Sequence, residues 1–538
     1  MSLDLLDWSV ISFYLIILIG MSAIIGRFQK SETDYFLGGR NISSLAIALS
    51  IMATQCGSIS IISAPAFVAL KEGGGLLWLQ YEFAVPLAMV FLMIFFVPYF
   101  YKLNITTVYE YLENRFNYSV RWMMSALFQL SRGLATGVAV YAVSIVTAVC
   151  FNLPLWLAIL LTGFISTLYT MMGGIKAVIY TDALQLLILW GAVFICLGYG
   201  VPMLGNWQEI VNSLTSANLK AVDFYHHGFG DGHTFSFWPM VLGGLFLYIS
   251  YYGCDQSQIQ RVLSSHSIKA SNRSLFLNGL LRFPLVVSYC ALGVFMIVFL
   301  SHNPDFRLSL PPDHYDYLVP MFIVKCLPHG VIGFILVGIF AAAMSSIDSA
   351  INSLSAATLK DLLIRSQGLK EFISKRFIFY SRLTTLLWGT VCTLFAYLVG
   401  NVSSTVIEGI NKIGSVFYGP ILATFVLGIL TRSAKSGGVI IGLCSGIVFN
   451  IVLWVFFPDV SWLWWNLTGC VSTFGIGIVL SKLFNNETCS DDSLIFNFSK
   501  GWIKRLQLSR DDKRTYTILV FYFLLIVFVS WRINQFKW

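Results

Sequence analysis

About fourteen apolar runs of roughly 18 residues or more fill this chain, each long enough to cross a bilayer as a helix. They are Trp8 to Ile25, Ser43 to Leu70, Leu76 to Tyr101, Trp122 to Cys150, Pro154 to Met172, Val178 to Leu204, Phe237 to Cys254, Leu275 to Leu300, Val331 to Leu359, Phe377 to Val399, Val406 to Leu430, Val439 to Phe457, Trp462 to Leu483 and Tyr516 to Trp531. Hydrocarbon offers backbone groups no partner, so such runs must bond internally, and the expected fold is an all-α polytopic membrane protein. Composition agrees: 57% of the 538 residues are hydrophobic and 11% charged, a balance foreign to soluble domains of this length. The first run follows Asp4 and Asp7 rather than a basic stretch and lacks a small-residue cleavage site, so it is read as a retained helix.

The formal charge of +8 is topological and does not point to nucleic acid. With the N-terminus outside, alternate loops collect Arg27, Lys30 and Arg40, then Lys102, Arg115 and Arg121, later Lys360 to Arg376, and finally the block from Lys482 to Arg514. Basic residues accumulate on the cytoplasmic face, which places both termini outside the cell membrane. The ten cysteines lack CxxC spacing and indicate neither a zinc site nor a disulfide framework. Histidines lie mostly in loops with no nucleophile motif, so an enzyme finds no support.

No linker divides the chain, which is read as one membrane domain. Two spans are interrupted in related ways, one by "ATQCGSISIISAP" with Gly57 and Pro65, the other by "YYGCDQSQIQ" with Gly253 beside Asp255. They lie five spans apart and so run in opposite directions. A matched pair of broken helices in two inverted five-helix halves points to the central site of a transporter. The plainer alternative is that both glycines only let helices pack closely. On the first view residues 43–204 and 237–430 are the halves, 8–25 an extra leading helix and 439–538 additional helices.

Polar residues inside the runs need partners, and helical spacing decides which act together. In "AAAMSSIDSAIN", Ser345, Asp348, Ser349 and Asn352 share one face, with Ser346 at its edge. Oxygens so placed, opposite an unwound backbone, suit a small hard cation. Membrane serines often bond their own helix, but a carboxylate within lipid is costly enough to imply a use. A second acid, Asp182 in "AVIYTDALQ", opens the run Val178 to Leu204. Two facing acids suggest two cations, or a cation and a proton. Arg132 lies too deep to snorkel easily and would suit a solute carboxylate, or else a buried acid. Gln80 offers a hydrogen bond to a polar solute, while Glu82 is expected to pair structurally; Arg382 and Lys412 are read as snorkelling or helix-terminal groups.

The segments "ETDYFLGGR", "YTDALQLLIL", "DQSQIQR", "GIFAAAMSSIDSAINSLSAATLKDL" and "NKIGSVFYGPILATFVLGIL", in this order, resemble the sodium/solute symporter family of glucose, iodide, proline, pantothenate and sialic acid carriers. The likeness runs from about Trp8 to Phe484. It implies the inverted-repeat fold with one extra leading helix, alternating access, and Na+ as coupling ion. Its primary sodium site would fall on backbone oxygens of Ala53 and Cys56 and on Ala342, Ser345 and Ser346. A second site, present in some branches, would fall on Asp182, Ser345, Asp348 and Ser349, although Asp348 replaces a small hydroxyl residue found there in several branches. Gln55, Gly57, Ser60, Gln80 and Arg132 occupy substrate-contacting positions, Arg132 matching the arginine that holds the carboxylate in the sialic acid branch. The expected function is sodium-coupled import of a small organic solute bearing a carboxylate, such as an acidic sugar. Alternatives are a neutral sugar, polyol, vitamin or monocarboxylate carrier of the same fold and, from a different class, a membrane sensor or channel. Its partners would be the solute, sodium ions and membrane lipid.

Overall fold

The computed structural model describes residues 3–312, 314–363, 367–398, 406–484, 494–496 and 509–535. Most of the expected basic block between Lys482 and Arg514 lies outside the described residues. Every regular element among them is helical.

Helix starts follow local chemistry. Asp4 and Asp7 form a reciprocal capping box before Leu5–Gly26, Asn117 caps Tyr118–Phe151, and Ser267 caps Ile268–His302. Tyr118–Phe151 stops at Asn152, whose left-handed φ of 51° is followed by Pro154, so the next helix leaves in a new direction.

Nine helices among the described residues are long and apolar enough to span a membrane, or ten if Ser44–Gln55 and Ser60–Leu70, bent by 51°, form one span. That is fewer than the expected fourteen, for three reasons. Two expected spans merge into Leu155–Gly200, kinked where Gly174 adopts φ +57°. A side chain there would strike Gln29 Nε2 at 2.7 Å and the Tyr35 carbonyl at 2.9 Å, so glycine fits the kink on two counts. Phe377–Leu398 and Trp464–Ser481 are helices of 22 and 18 residues, but polar members such as Arg382 and Asn466 dilute them. Pro239–Cys254 is apolar yet short, because the chain breaks at Asp255.

Val331–Ala357 lies at the centre. Its apolar window is 78% buried, against 22% for Leu5–Gly26 and 17% for Arg510–Gln535, so the first and last helices form the rim. Contacts between loops sort into two sets. Asp7 meets His329 at 2.6 Å, and Asn534 accepts from the Ala221 amide at 2.7 Å. In the other set Arg121 meets Asp361 at 2.6 Å, and Tyr111 donates to the Leu494 carbonyl. Each contact joins loops that the alternating spans assign to one side.

Candidate functional site

The chain is broken beside Val331–Ala357. Ser44–Gln55 ends at Cys56 (φ −93°, ψ 57°), and a new helix starts after Gly57. The last turn of a helix has carbonyls without helical partners, and a membrane supplies no water for them. The serine face supplies hydroxyls instead: Ser345 Oγ lies 3.0 Å from the Ala53 carbonyl and 2.9 Å from that of Ala342, and Ser346 Oγ lies 2.8 Å from the Thr54 carbonyl. Each hydroxyl has one hydrogen, so the cluster holds more acceptor lone pairs than hydrogens to fill them. Such a cluster of oxygens suits a hard monovalent cation. Gly57 allows the approach, since a Cβ there would sit 2.5 Å from Ser346 Oγ.

Of the expected sodium residues, Ala53, Ala342, Ser345 and Ser346 come together. Cys56 is expected to contribute its backbone oxygen; Ser346 meets the carbonyl two residues earlier, while the Cys56 thiol receives a hydrogen bond from Arg282 and lies 3.5 Å from the Tyr289 hydroxyl.

The second expected group is built differently from its sequence image. Asp182, Asp348 and Ser349 are fully or almost fully buried near one another, but the Arg261 guanidinium stands among them. It donates to Asp182 Oδ2 at 3.1 Å, Thr54 Oγ1 at 2.6 Å and Ser50 Oγ at 2.7 Å, and also to Ser349 Oγ. Asp348 accepts from the Tyr169 hydroxyl at 3.0 Å and from the Ser349 amide and hydroxyl at 2.6 and 3.2 Å, so Ser349 joins it to the group. A guanidinium thus stands among the residues expected to hold a second ion. Two carboxylates share a low-dielectric interior with one guanidinium.

A cavity of about 130 Å³ adjoins the break, with room on the order of ten waters and so for more than an ion. Gln55, Gly57, Ser60, Arg132 and Ser346 line it. Gln80 does not: its side-chain oxygen accepts from the Asp223 amide at 2.9 Å and its nitrogen donates to the Leu77 carbonyl, so both ends are spent on holding an adjoining loop. Arg132 sits 3.6 Å from Asp255 and donates to Ser257 at 2.8 Å, while its Nε has no hydrogen-bond partner. Arg282, also in the wall, is instead committed to Glu82 through two bonds of 3.0 and 2.8 Å, the structural pairing expected for Glu82. Lys412 lies 5.5 Å from the Trp454 ring, a cation over an aromatic face.

Arg261 and Arg282 were not among the expected site residues. Arg282 carried a legible signal, an arginine within the run Leu275 to Leu300 that had to find an acid. Arg261 reads in sequence as one more basic residue beside a loop.

Long apolar helices around a broken segment, a cluster of oxygens at the break and a cavity beside it are the parts of a membrane carrier. The Sodium:solute symporter family model matches residues 35–446, and the chain belongs to that family. Sodium is accordingly its coupling ion. It is similar to the human sodium/iodide cotransporter, at 29% identity over 84% of this chain and 69% of that protein. The Xenopus laevis sodium-coupled monocarboxylate transporter 1 is 30% identical over 83% of this chain and 71% of its own. Among solved structures, the substrate-bound outward-open state of a Na+-coupled sialic acid symporter superposes with a TM-score of 0.79, at 26% identity over 89% of this chain and 98% of that one.

Proposed function

We infer that this carrier imports a small organic anion, one bearing a carboxylate, together with sodium. The observation that carries the reading is Arg132: a guanidinium in the cavity wall with a loose partner in Asp255 and an unused Nε–H. Buried donors of that kind favour a planar anion able to take two parallel hydrogen bonds. The related proteins named above carry iodide, monocarboxylate and sialic acid, all anions, which supports the same sign of solute.

Sodium would bind between Ala53, Ala342, Ser345 and Ser346. Ser346 belongs to both ion cleft and cavity wall, so occupation of one changes the other, and sodium and solute should each raise the affinity of the carrier for its companion by the same factor. Arg261 would serve as the second positive charge, and a second sodium at Asp182, Ser345, Asp348 and Ser349 would require it to withdraw. The residues 43–204 and 237–430 would form inverted halves in a cell membrane with both termini outside, a reading supported by the basic loops of one side.

The experiment is uptake into proteoliposomes of lactate, sialic acid, glucose, proline and pantothenate, with and without a sodium gradient. Carboxylate uptake that needs sodium and weakens strongly in Arg132→Ala is expected. A neutral solute is the alternative that the Asp255 pairing of Arg132 would favour, and Arg132→Ala carrying carboxylates with unchanged affinity would establish that arginine as structural.

A further inference from the structure

Between the long helix that ends at Gly200 and the broken span that starts at Pro239, the loop brings three metal-ligating side chains to one point. Ligand atoms of Asp223, His226 and His233 lie within 4.8 Å of one another. His226 Nδ1 is 2.8 Å from Asp223 Oδ2, and the His226 and His233 rings stack with centroids 3.5 Å apart. Asp223 is 2% exposed, His226 partly buried and His233 exposed, so the group is anchored at its base and open at its mouth.

We propose that Asp223, His226 and His233 form a binding site for a divalent transition-metal ion of the zinc class, distinct from the sodium cleft. Two imidazoles and a carboxylate are a donor set suited to zinc, with a fourth position left to water. Asp223 is oriented for the task, because its backbone amide donates to Gln80, its carbonyl accepts from Phe237, and its Oδ1 accepts from the Tyr225 amide at 3.2 Å. The stacked rings must part before both nitrogens can aim at one ion. The exposed His233 ring has solvent on its outer side into which it can turn. Lys220, with its Nζ 2.9 Å from Asp223 Oδ2, occupies the carboxylate in place of a metal and is displaced when one binds.

The same loop is bonded to Ser461 through the Gly228 and Thr234 carbonyls, to Trp464 through the His227 carbonyl, and to the cavity-side turn through Gln80. A metal that staples residues 223 to 233 therefore ties together three segments beside the cavity. Slower uptake in zinc is the consequence, and it alone rests on the transport reading; binding does not.

The test is zinc binding to the purified full chain in detergent, by competition with a chromogenic chelator, alongside the thermal-unfolding midpoint. One saturable ion per chain is expected, with affinity weakened more than about tenfold in His233→Ala and His226→Ala. Lys220→Gln should bind at least as tightly as the parent, and His329→Gln, at another histidine–carboxylate group, should bind unchanged. His233 is exposed, so its variant tests the ligand role even where His226→Ala fails to fold. No saturable binding by the parent, or equal affinity in His233→Ala, overturns the proposal.

Discussion

The two chain breaks look alike in sequence, each a glycine beside polar residues in an apolar run, yet the structure uses them in opposite ways. At Cys56 and Gly57 the freed carbonyls of Ala53 and Thr54 meet serine hydroxyls, which rotate and share one hydrogen among several acceptors. At Asp255 the loose ends are already closed. The Asp255 carboxylate caps the next helix through the Ser257 amide at 2.8 Å and hydroxyl at 2.6 Å, and the Tyr109 hydroxyl donates to the Cys254 carbonyl at 3.2 Å. Gly253 has no part in the break itself; its missing Cβ makes room for Leu92 and Phe96, each 2.5 Å from where one would stand. On the proposed reading the first break would exchange its serine partners for sodium while the second stays shut, one moving jaw against a fixed one.

Breaking the second break should have the largest effect. Asp255→Ala removes a helix cap and the acid 3.6 Å from the Arg132 guanidinium, two losses that add in one variant. A clear fall in the detergent unfolding midpoint is expected, largely restored by adding Arg132→Gln. Unchanged stability in the single variant would mean that this break is as loose as the first. At the first break, Ser345→Ala should leave the fold intact and cost roughly 1.5–3 kcal/mol of ion binding, a 10- to 100-fold rise in the sodium concentration for half-maximal uptake. If sodium dependence is unmoved, the serine face is not the jaw.

The comparison also shows what could be read from the amino acids. Helix period and the cost of buried polar groups marked the serine face, both interruptions and the membrane class, because those are local properties. They could not say that Gln80 would be spent on the amide of Asp223, nor that Arg261 would reach Asp182, since each partner lies 79 or more residues away in sequence. The count of spans failed for a related reason: whether Gly174 bends a helix or ends one depends on the Gln29 and Tyr35 contacts around it.

Arg261 sharpens the contrast further. If its guanidinium stands in for an ion, uptake should rise hyperbolically with sodium, with a slope near one; a slope near two would return the second site to an exchangeable cation. Arg261→Gln leaves Asp182 without its cation, and either instability or a new sodium requirement is expected, with Asp182→Asn in the same chain relieving both.

The smallest effect belongs to the far end of the serine helix. Asp7 Oδ1 accepts from the Gly330 and Gly333 amides at 2.7 and 2.8 Å, and Oδ2 meets His329 Nδ1 at 2.6 Å. The hydrogen bond to Asp7 lifts the exposed His329 imidazole above its ordinary value, with the nearby charges of Asp4 and Asp7 adding to it. A group whose pKa is higher folded than unfolded stabilises the fold fully below its unfolded value, near 6.5, and loses that contribution as pH rises through the folded value. The unfolding midpoint should therefore fall slightly as pH rises through that window, and His329→Gln should flatten the change. Because the amides hold Asp7 at any pH, the serine helix keeps its anchor when His329 is neutral, so sodium-dependent uptake should stay level across the window. A sharp loss of uptake there would show that this far end of the helix takes part in transport.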